Sequence, residues 1–487
     1  MEVSASRGRP GGIVGVLAVA GIVASLMQTL VVPLIGELPR LFGTTASNAA
    51  WVVTATLLAG AVAMPVTGKL GDLYGKRRML LVLMIPLIAG SIVCALSGSV
   101  VPMIVGRGLQ GVGMGMIPLG ISALRDLLPP ERLGSAIALM SSSMGIGGAF
   151  GLPLSAAVIE NVSWRALFWG SAGLSLLVAA LIWFLVPDVP ARGGGRIDAV
   201  GAVGLGGGLV CFLLGVSKGS DWGWTSAATI GLLAGAVVLF VLWGLWEMRA
   251  RDPLVDLRVT ARRPVLLTNA ASIMIGFAMY AQALIAPQLL QIPEAVGYGL
   301  GQSMLAAGLW MAPGGLMMML VSPLGARLSA ARGPKVTLCV GALIIALGYG
   351  SSVLLTGSTW GVVAFTCVIS IGVGFAYGAM PALIMSSVPR SETASANSFN
   401  TLMRSIGTSV AAAVVGVVLA EMTVTMGGHA LPSENGFRVG LLIGCGAALV
   451  SALIALTIPG RRPATGGPGE EAAGSAVPAG AGAAAKS

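Results

Sequence analysis

Apolar stretches of about twenty residues recur along the chain from residue 13 to residue 458, parted by short segments that hold most of its charge. A helix needs about that many apolar residues to cross a hydrocarbon core of roughly 30 Å. The pattern predicts fourteen spans, near 13–35, 49–68, 79–98, 101–122, 133–157, 165–187, 198–217, 226–247, 265–289, 301–322, 335–356, 360–384, 396–420 and 437–458. From Pro459 onward, "PGRRPATGGPGEEAAGSAVPAGAGAAAKS" is rich in Gly, Ala and Pro and is expected to be disordered.

Two stretches about 260 residues apart, 111–147 and 372–407, resemble each other. In each, a Gly-rich helix with an internal proline leads through a Pro-marked polar turn into a helix of small residues. Ser135-Ala136 align with Ser395-Ala396, and Ile146-Gly147 with Ile406-Gly407. Duplicated halves around a midplane cavity are a mark of transporters. The spacing exceeds six spans, so two extra helices are expected between the halves, near 198–247. The expected fold class is an all-α polytopic membrane protein: two six-helix halves related by pseudo-symmetry plus two extra central helices, 14 transmembrane helices in all. The expected organisation is a cytoplasmic tail (1–12), an N-terminal six-helix half (13–187), two linking helices with cytoplasmic loops (188–264), a C-terminal six-helix half (265–458) and a cytoplasmic tail (459–487).

Composition agrees. Only 9% of the 487 residues are charged, against about 25% in a soluble domain. Hydrophobic residues make up 56% and the mean hydropathy is +0.92. The 72 glycines let helix backbones approach closely in lipid. The 26 prolines are tolerable there because neighbouring helices can satisfy the freed backbone groups. The five cysteines lie inside apolar runs, without metal spacing or a disulfide framework. The single histidine, His429, falls in a polar loop, so neither a metal site nor a His-based triad is expected. The basic start "MEVSASRGRPGG" precedes an apolar run without a clear small-residue cleavage site, which reads as a retained first helix.

The net charge of +10 has a topological source. Fourteen spans put both termini on one side. Of the 28 basic residues, Arg40, Arg165, Lys218 and Arg438 fall on the other side, Arg107 and Arg404 fall within spans, and the rest share the side of the termini. Positive residues collect on the cytoplasmic side, so both termini are expected inside a cell membrane. This accounts for the basic pI without nucleic acid as a partner.

One segment, "GKLGDLYGKRR", holds five charged residues in eleven. Glycines at 68, 71 and 75 permit a tight turn and close approach to another helix. A carboxylate at Asp72 can cap a helix N-terminus or pair with a cation. The segment resembles the signature loop of the major facilitator superfamily, roughly G-x-L-x-D-x-x-G-R/K-R/K, matched at Gly68, Leu70, Asp72, Gly75, Lys76 and Arg77. In that family the loop is a conformational latch that stabilises the outward-open state, so the resemblance implies a gating role here. "RGLQGVGMG" is similar to the fourth-helix motif of the superfamily, with Arg107, Gln110 and Gly111 in matching places. An arginine at that depth is costly and is expected to face a cavity or a partner, the alternative being a structural arginine near the outer face. "GIGGAFGLPLSAA" loosely resembles the fifth-helix antiporter motif, with Gly147 and Gly151 as packing positions. Proline is displaced there to Pro153, and Ser155-Ala156 replace a glycine pair. "RARDPLVDLRVTARRP" resembles the linker of the fourteen-span drug:proton antiporter branch.

That branch often carries an acid in its first helix, in a pattern like L-D-x-T-I-V-N-V-A-L-P. Met27 stands at that position, which leaves Gln28 and Thr29 as candidates for contact with substrate. Glu37 and Arg107 lie at similar expected depths near the outer face and are the candidate proton-coupling pair; the alternative is a solvated Glu37 at the rim. Gln110 and Arg404 complete the candidate cavity. Arg404 falls at the repeat position of Met144, where it could hold an anionic substrate group or touch the opposite half, or be a structural arginine at the cytoplasmic end.

The expected function is secondary export of small amphipathic molecules, such as drugs, antibiotics or natural products, by proton antiport with alternating access. The expected partners are the small-molecule substrate, protons and the lipid bilayer. The alternatives are a facilitator or importer of a small nutrient without proton antiport, and a non-transport lipid-handling or sensor protein. No G-x-x-x-x-G-K-[ST] phosphate loop occurs, and no nucleophile–base pair stands out, so neither ATP, a cofactor nor an enzymatic reaction is expected.

Overall fold

Backbone amides of an apolar run in lipid have no water to bond, so the run closes on itself as a helix. The structure, a computed structural model, describes residues 10–31, 34, 37–191, 195–426 and 429–459. Most of the two expected tails, before residue 10 and after residue 459, lies outside the described residues.

In chain order the helices are α1 (Pro10–Thr29), α2 (Leu38–Phe42), α3 (Ala46–Tyr74), α4 (Lys76–Leu96), α5 (Val100–Val112), α6 (Met116–Leu127), α7 (Pro130–Asn161), α8 (Trp164–Leu185) and α9 (Ala199–Trp222). They continue as α10 (Ala227–Glu247), α11 (Leu257–Thr260), α12 (Arg263–Gln291), α13 (Met304–Arg332), α14 (Pro334–Leu355), α15 (Thr359–Ser387), α16 (Thr393–Glu421) and α17 (Glu434–Thr457). Among the described residues fourteen segments are long and apolar enough to cross a membrane. These are all the helices but the short α2 and α11, with α5 and α6 joined into one crossing by a 3-10 turn at Gly113–Gly115. An even number of crossings leaves the start of α1 and the end of α17 on one face, hereafter the terminal face; the opposite one is the far face.

Hydroxyl caps mark the far face. Thr45, Ser163, Ser226, Ser303, Ser358 and Ser433 each precede a helix that starts there and accept a hydrogen bond from one of its first amides. Such a cap satisfies a donor that has no partner inside the helix. The far face also carries features too short for hydropathy to reveal: α2, and an antiparallel hairpin of β1 (Thr423–Met426) and β2 (His429–Pro432) with Thr423 opposite Pro432.

Residues 68–78 do not form the loop expected from the sequence. α3 continues to Tyr74 and α4 begins at Lys76, so Gly75 alone makes the turn, at φ +95°. Side chains rarely adopt that conformation, which is why glycine stands there. Gly333 makes the equivalent turn between α13 and α14 at φ +87°, extending the internal repeat to a second pair of hairpins. α1 stops at Thr29, short of the expected 35.

The N-terminal helices enclose one core, with Leu17, Leu80, Met103, Leu124 and Val178 at its centre. Ile275, Ile345, Phe365, Val415 and Leu441 centre another, built from α12 to α17. The linking pair α9 and α10 packs a third, smaller cluster against both halves: Leu205, Leu209 and the connection residues Leu254 and Val255 meet Ala61 of α3 and Leu402 of α16. At the far end of α9, Lys218 is buried against Asp221 at 3.0 Å and lies over the Trp51 ring of α3.

Candidate functional site

The first turn of α16 lacks a cap of its own: Glu392, which precedes it, makes no side-chain bond to the helix. Its amides are satisfied from the other half. Asp72 Oδ1 accepts the Ala394 amide at 3.1 Å, and Oδ2 accepts the Ser395 amide at 2.8 Å and the Ser395 hydroxyl at 2.7 Å. The carboxylate is only 5% exposed, so burial works against its charge, while the amides at the positive end of the helix dipole work for it. Gly68 and Gly71 make the approach possible. A Cβ on Gly68 would lie 2.7 Å from the Ser398 Cβ and 2.8 Å from the Ala394 carbonyl, and one on Gly71 would meet Leu119.

More bonds cross between the halves beside this one. The Ser122 hydroxyl donates to the Thr393 carbonyl at 3.1 Å and accepts the Asn397 side-chain amide at 3.1 Å. Arg125 donates to the Thr393 hydroxyl at 2.7 Å and reaches the Val388 carbonyl. The cations of the motif work within one half. Lys76 forms an ion pair with Asp126, and Arg77 donates to the Trp183 carbonyl at 2.6 Å while stacking on its ring. Leu70 is half-buried against the N-terminal core. The terminal face is closed by these contacts.

The Glu37–Arg107 pair expected from the sequence does not form. After α1 stops at Thr29 the chain turns, and Glu37 ends up before α2, about half exposed, 3.2 Å from Arg40. Arg107 is fully enclosed. Its Nη1 donates to the Met27 carbonyl at 2.6 Å and to Gln110 Oε1 at 2.7 Å, and Nε reaches the Val52 carbonyl at 3.4 Å. Gln110 in turn donates to the Ser91 hydroxyl at 2.8 Å, so it is buried in this network and is not in a cavity. Arg107 therefore clamps α1, α3 and α5 together through neutral oxygens.

Thr29 and the fifth-crossing glycines also meet in packing. The Thr29 hydroxyl reaches the Leu26 and Gly147 carbonyls at 3.2 and 3.3 Å. A Cβ on Gly147 would come within 2.6 Å of the Ser25 Cβ, and one on Gly151 would strike Thr29. Pro153 lies within α7, two residues on from Gly151. Gln28 is half-buried on α1.

Arg404 has a different setting. It is 6% exposed on α16, its guanidinium centred 4.3 Å over the Tyr377 ring of α15 and 3.9 Å from the Met144 sulfur of α7 in the opposite half. Each of the three lies within about four residues, roughly 6 Å, of the midpoint of its helix. Arg404 is thus near the middle of its crossing helix and not at the end on the terminal face. The two halves touch at the same depth, where a Cβ on Gly145 of α7 would lie 2.7 Å from the Met318 sulfur of α13. Met318 belongs to that packing.

Sequence reasoning missed the donor side of the Asp72 junction, Ala394 and Ser395, and the flanking Ser122, Arg125, Thr393 and Asn397. The one available signal was the repeat, which had already paired Ser395-Ala396 with Ser135-Ala136. Among the described residues no group of three or more His, Cys, Asp or Glu is placed to hold a metal ion, and the five cysteines are free.

The sequence model of the Major Facilitator Superfamily matches residues 17–412. The tetracenomycin C resistance and export protein of Streptomyces glaucescens is 30% identical over 425 residues, covering 86% of this chain and 77% of that protein. Multidrug resistance protein 3 of Bacillus subtilis is 26% identical over 408 residues, covering 82% and 77%. Among solved structures, the human organic anion transporter MFSD10 superposes with a TM-score of 0.66 at 14% identity, over 92% of this chain and all (100%) of that one. The proton:xylose symporter XylE gives 0.65 at 14% identity, over 92% and 96%. At that identity the likeness is one of fold.

Proposed function

The chain belongs to the major facilitator superfamily, and on that premise we propose that it is a secondary active transporter of the cell membrane. It exports small amphipathic molecules by alternating access, in exchange for protons, with the terminal face in the cytoplasm. The observation that carries this reading is the junction of Asp72 with the first turn of α16. A carboxylate that caps a helix of the other half can hold one face shut and let go when the halves rock, which is what a gate requires. Gly68, Leu70, Gly75, Lys76 and Arg77 position that carboxylate. The names of the relatives, a tetracenomycin C exporter and multidrug resistance proteins, support export and the drug or antibiotic class.

A second reading keeps the export and drops the proton. It is favoured by one observation: every Asp and Glu among the described residues stands within three residues of a helix end or in a connection. Met27, at the position of the family acid, is buried and gives only its carbonyl to Arg107.

Inverted membrane vesicles holding this protein, with an imposed pH gradient, separate the two. Lumenal pH is followed while amphipathic cations, neutral antibiotics and anionic metabolites are added. Substrate-triggered proton efflux, absent from vesicles without the protein, is the result expected for antiport. Tracer uptake without proton movement selects the second reading, and neither signal with any compound rejects export.

A further inference from the structure

Among the described residues, Arg404 is the one charged side chain near the middle of a crossing helix. The bilayer centre is where a charge is most costly, and such residues face the interior or a water-filled space and find partners. Arg107 shows how this protein satisfies a guanidinium that serves only structure: with the Met27 and Val52 carbonyls and the Gln110 amide oxygen. Arg404 has no such set. A guanidinium offers five N–H donors. Arg404 meets an aromatic ring at 4.3 Å and a thioether sulfur at 3.9 Å, both weak acceptors, and none of the ion pairs among the described residues includes it. The Tyr377 hydroxyl donates to another thioether, Met279, at 2.8 Å, and its oxygen is the one further partner of the guanidinium among the described residues.

Resting on the export reading above, we propose that Arg404 is the anion-binding group of the transport site and that the exported class is amphipathic organic anions. The acidic group, a carboxylate or a phenolate, sits on the guanidinium, and the apolar body lies against Tyr377, Met144 and Met279. A planar guanidinium matches a carboxylate with two parallel hydrogen bonds. Thioethers and an aromatic face adapt to rings of varied shape. Tyr377 steadies the guanidinium from one side and leaves its edge for the ligand. The opposite half supplies Met144 at the same repeat position, so the site holds one anionic group and not two. At mid-depth the ligand anion and Arg404 cancel each other's charge, which is most costly there when unpaired.

The experiment uses the full chain, purified in detergent. Binding of two anions, fluorescein and anthraquinone-2-carboxylate, is compared with binding of rhodamine 6G, a cation with the xanthene body of fluorescein. The anions are expected to bind the unaltered protein, Arg404→Gln to weaken that binding at least tenfold, and rhodamine 6G to bind no better than to an unrelated membrane protein. Arg404→Lys keeps the charge but loses the fork. It is expected to weaken anion binding by a smaller factor, and it carries the test if Arg404→Gln does not fold. The inference is overturned if neither anion binds, if rhodamine 6G binds as tightly as the anions, or if the variants bind anions as the unaltered protein does. Vesicle transport separates this from the export reading. Anions that bind through Arg404 but are never moved reject export and leave the site. Export of rhodamine 6G that is untouched in Arg404→Gln leaves export and rejects the site.

Discussion

Met144 and Arg404 are separated by 260 residues, occupy the same position in the two halves of the repeat, and meet between the halves with the guanidinium 3.9 Å from the sulfur. A duplicated fold would be expected to place like residues on either side of its axis. Here one copy carries a cation and the other a thioether, so the centre is asymmetric. The junction at the terminal face is asymmetric too. Gly75 and Gly333 turn the chain in the same way, yet Ala330, three residues before Gly333, stands where Asp72 stands before Gly75.

Asp72→Asn keeps the shape of the side chain and removes its charge. Hydrogen bonds to a charged group are worth about 1.5–3 kcal/mol each. Losing one such increment moves the equilibrium away from the closed terminal face by roughly ten- to a hundredfold. Spin labels at the exposed positions Tyr74 and Arg390, one in each half, should report longer distances in the variant. An unchanged distance distribution would show that the junction does not hold the face shut.

Arg107 and Glu37 should behave in opposite ways. Arg107→Leu leaves the Met27 carbonyl and Gln110 without their donor, at about 1–3 kcal/mol for each buried group left unpaired. Thermal unfolding in detergent should occur at a clearly lower temperature. Glu37→Gln alters a half-exposed side chain beside Arg40, and both unfolding and proton-linked transport should match the unaltered protein. Loss of proton coupling in Glu37→Gln would restore the pairing that the structure separates.

Lys76 and Asp126 are each 10% exposed, so neither charge is cheap to leave alone. Removing one partner of a buried pair typically costs about 3–5 kcal/mol. Lys76→Met and Asp126→Asn should each destabilise the protein, and the exchange Lys76→Asp with Asp126→Lys should recover part of the loss. A double-mutant cycle on unfolding temperature measures the coupling. Strictly additive effects would mean that the pair contributes nothing as a pair.

Gly147→Val tests the packing of α7 on α1. Even a Cβ there would lie 2.8 Å from the Ile22 carbonyl and the Leu26 amide, and backbone atoms cannot step aside. Overpacking of this kind costs about 1–3 kcal/mol. The yield of monodisperse protein on size exclusion should fall, while Gly148→Val, with open space around it, should leave the yield unchanged.

The crossing helices were legible in the sequence because hydropathy is a property of consecutive residues, and lipid forces every apolar run of spanning length to close its own hydrogen bonds. The duplication was legible for a similar reason, since Ser135 and Ser395 or Gly147 and Gly407 can be aligned without folding anything. Asp72 could be singled out from its motif. Its partners could not, because Ser395 is 323 residues away and only the packing of α3 on α16 brings the first turn of that helix to the carboxylate.

Depth was the misleading guide for Glu37 and Arg107. Counting residues along two helices estimates how far each lies from the surface. It says nothing of the direction in which each side chain points, which turns by about 100° per residue, nor that α1 would end at Thr29 and carry Glu37 outside. The same limit hid the difference between the two intramembrane arginines. In the sequence Arg107 and Arg404 are both lone cations in apolar runs. The tertiary structure surrounds the first with oxygens and the second with a ring and a sulfur, because which neighbours a buried charge meets is decided by how whole helices pack.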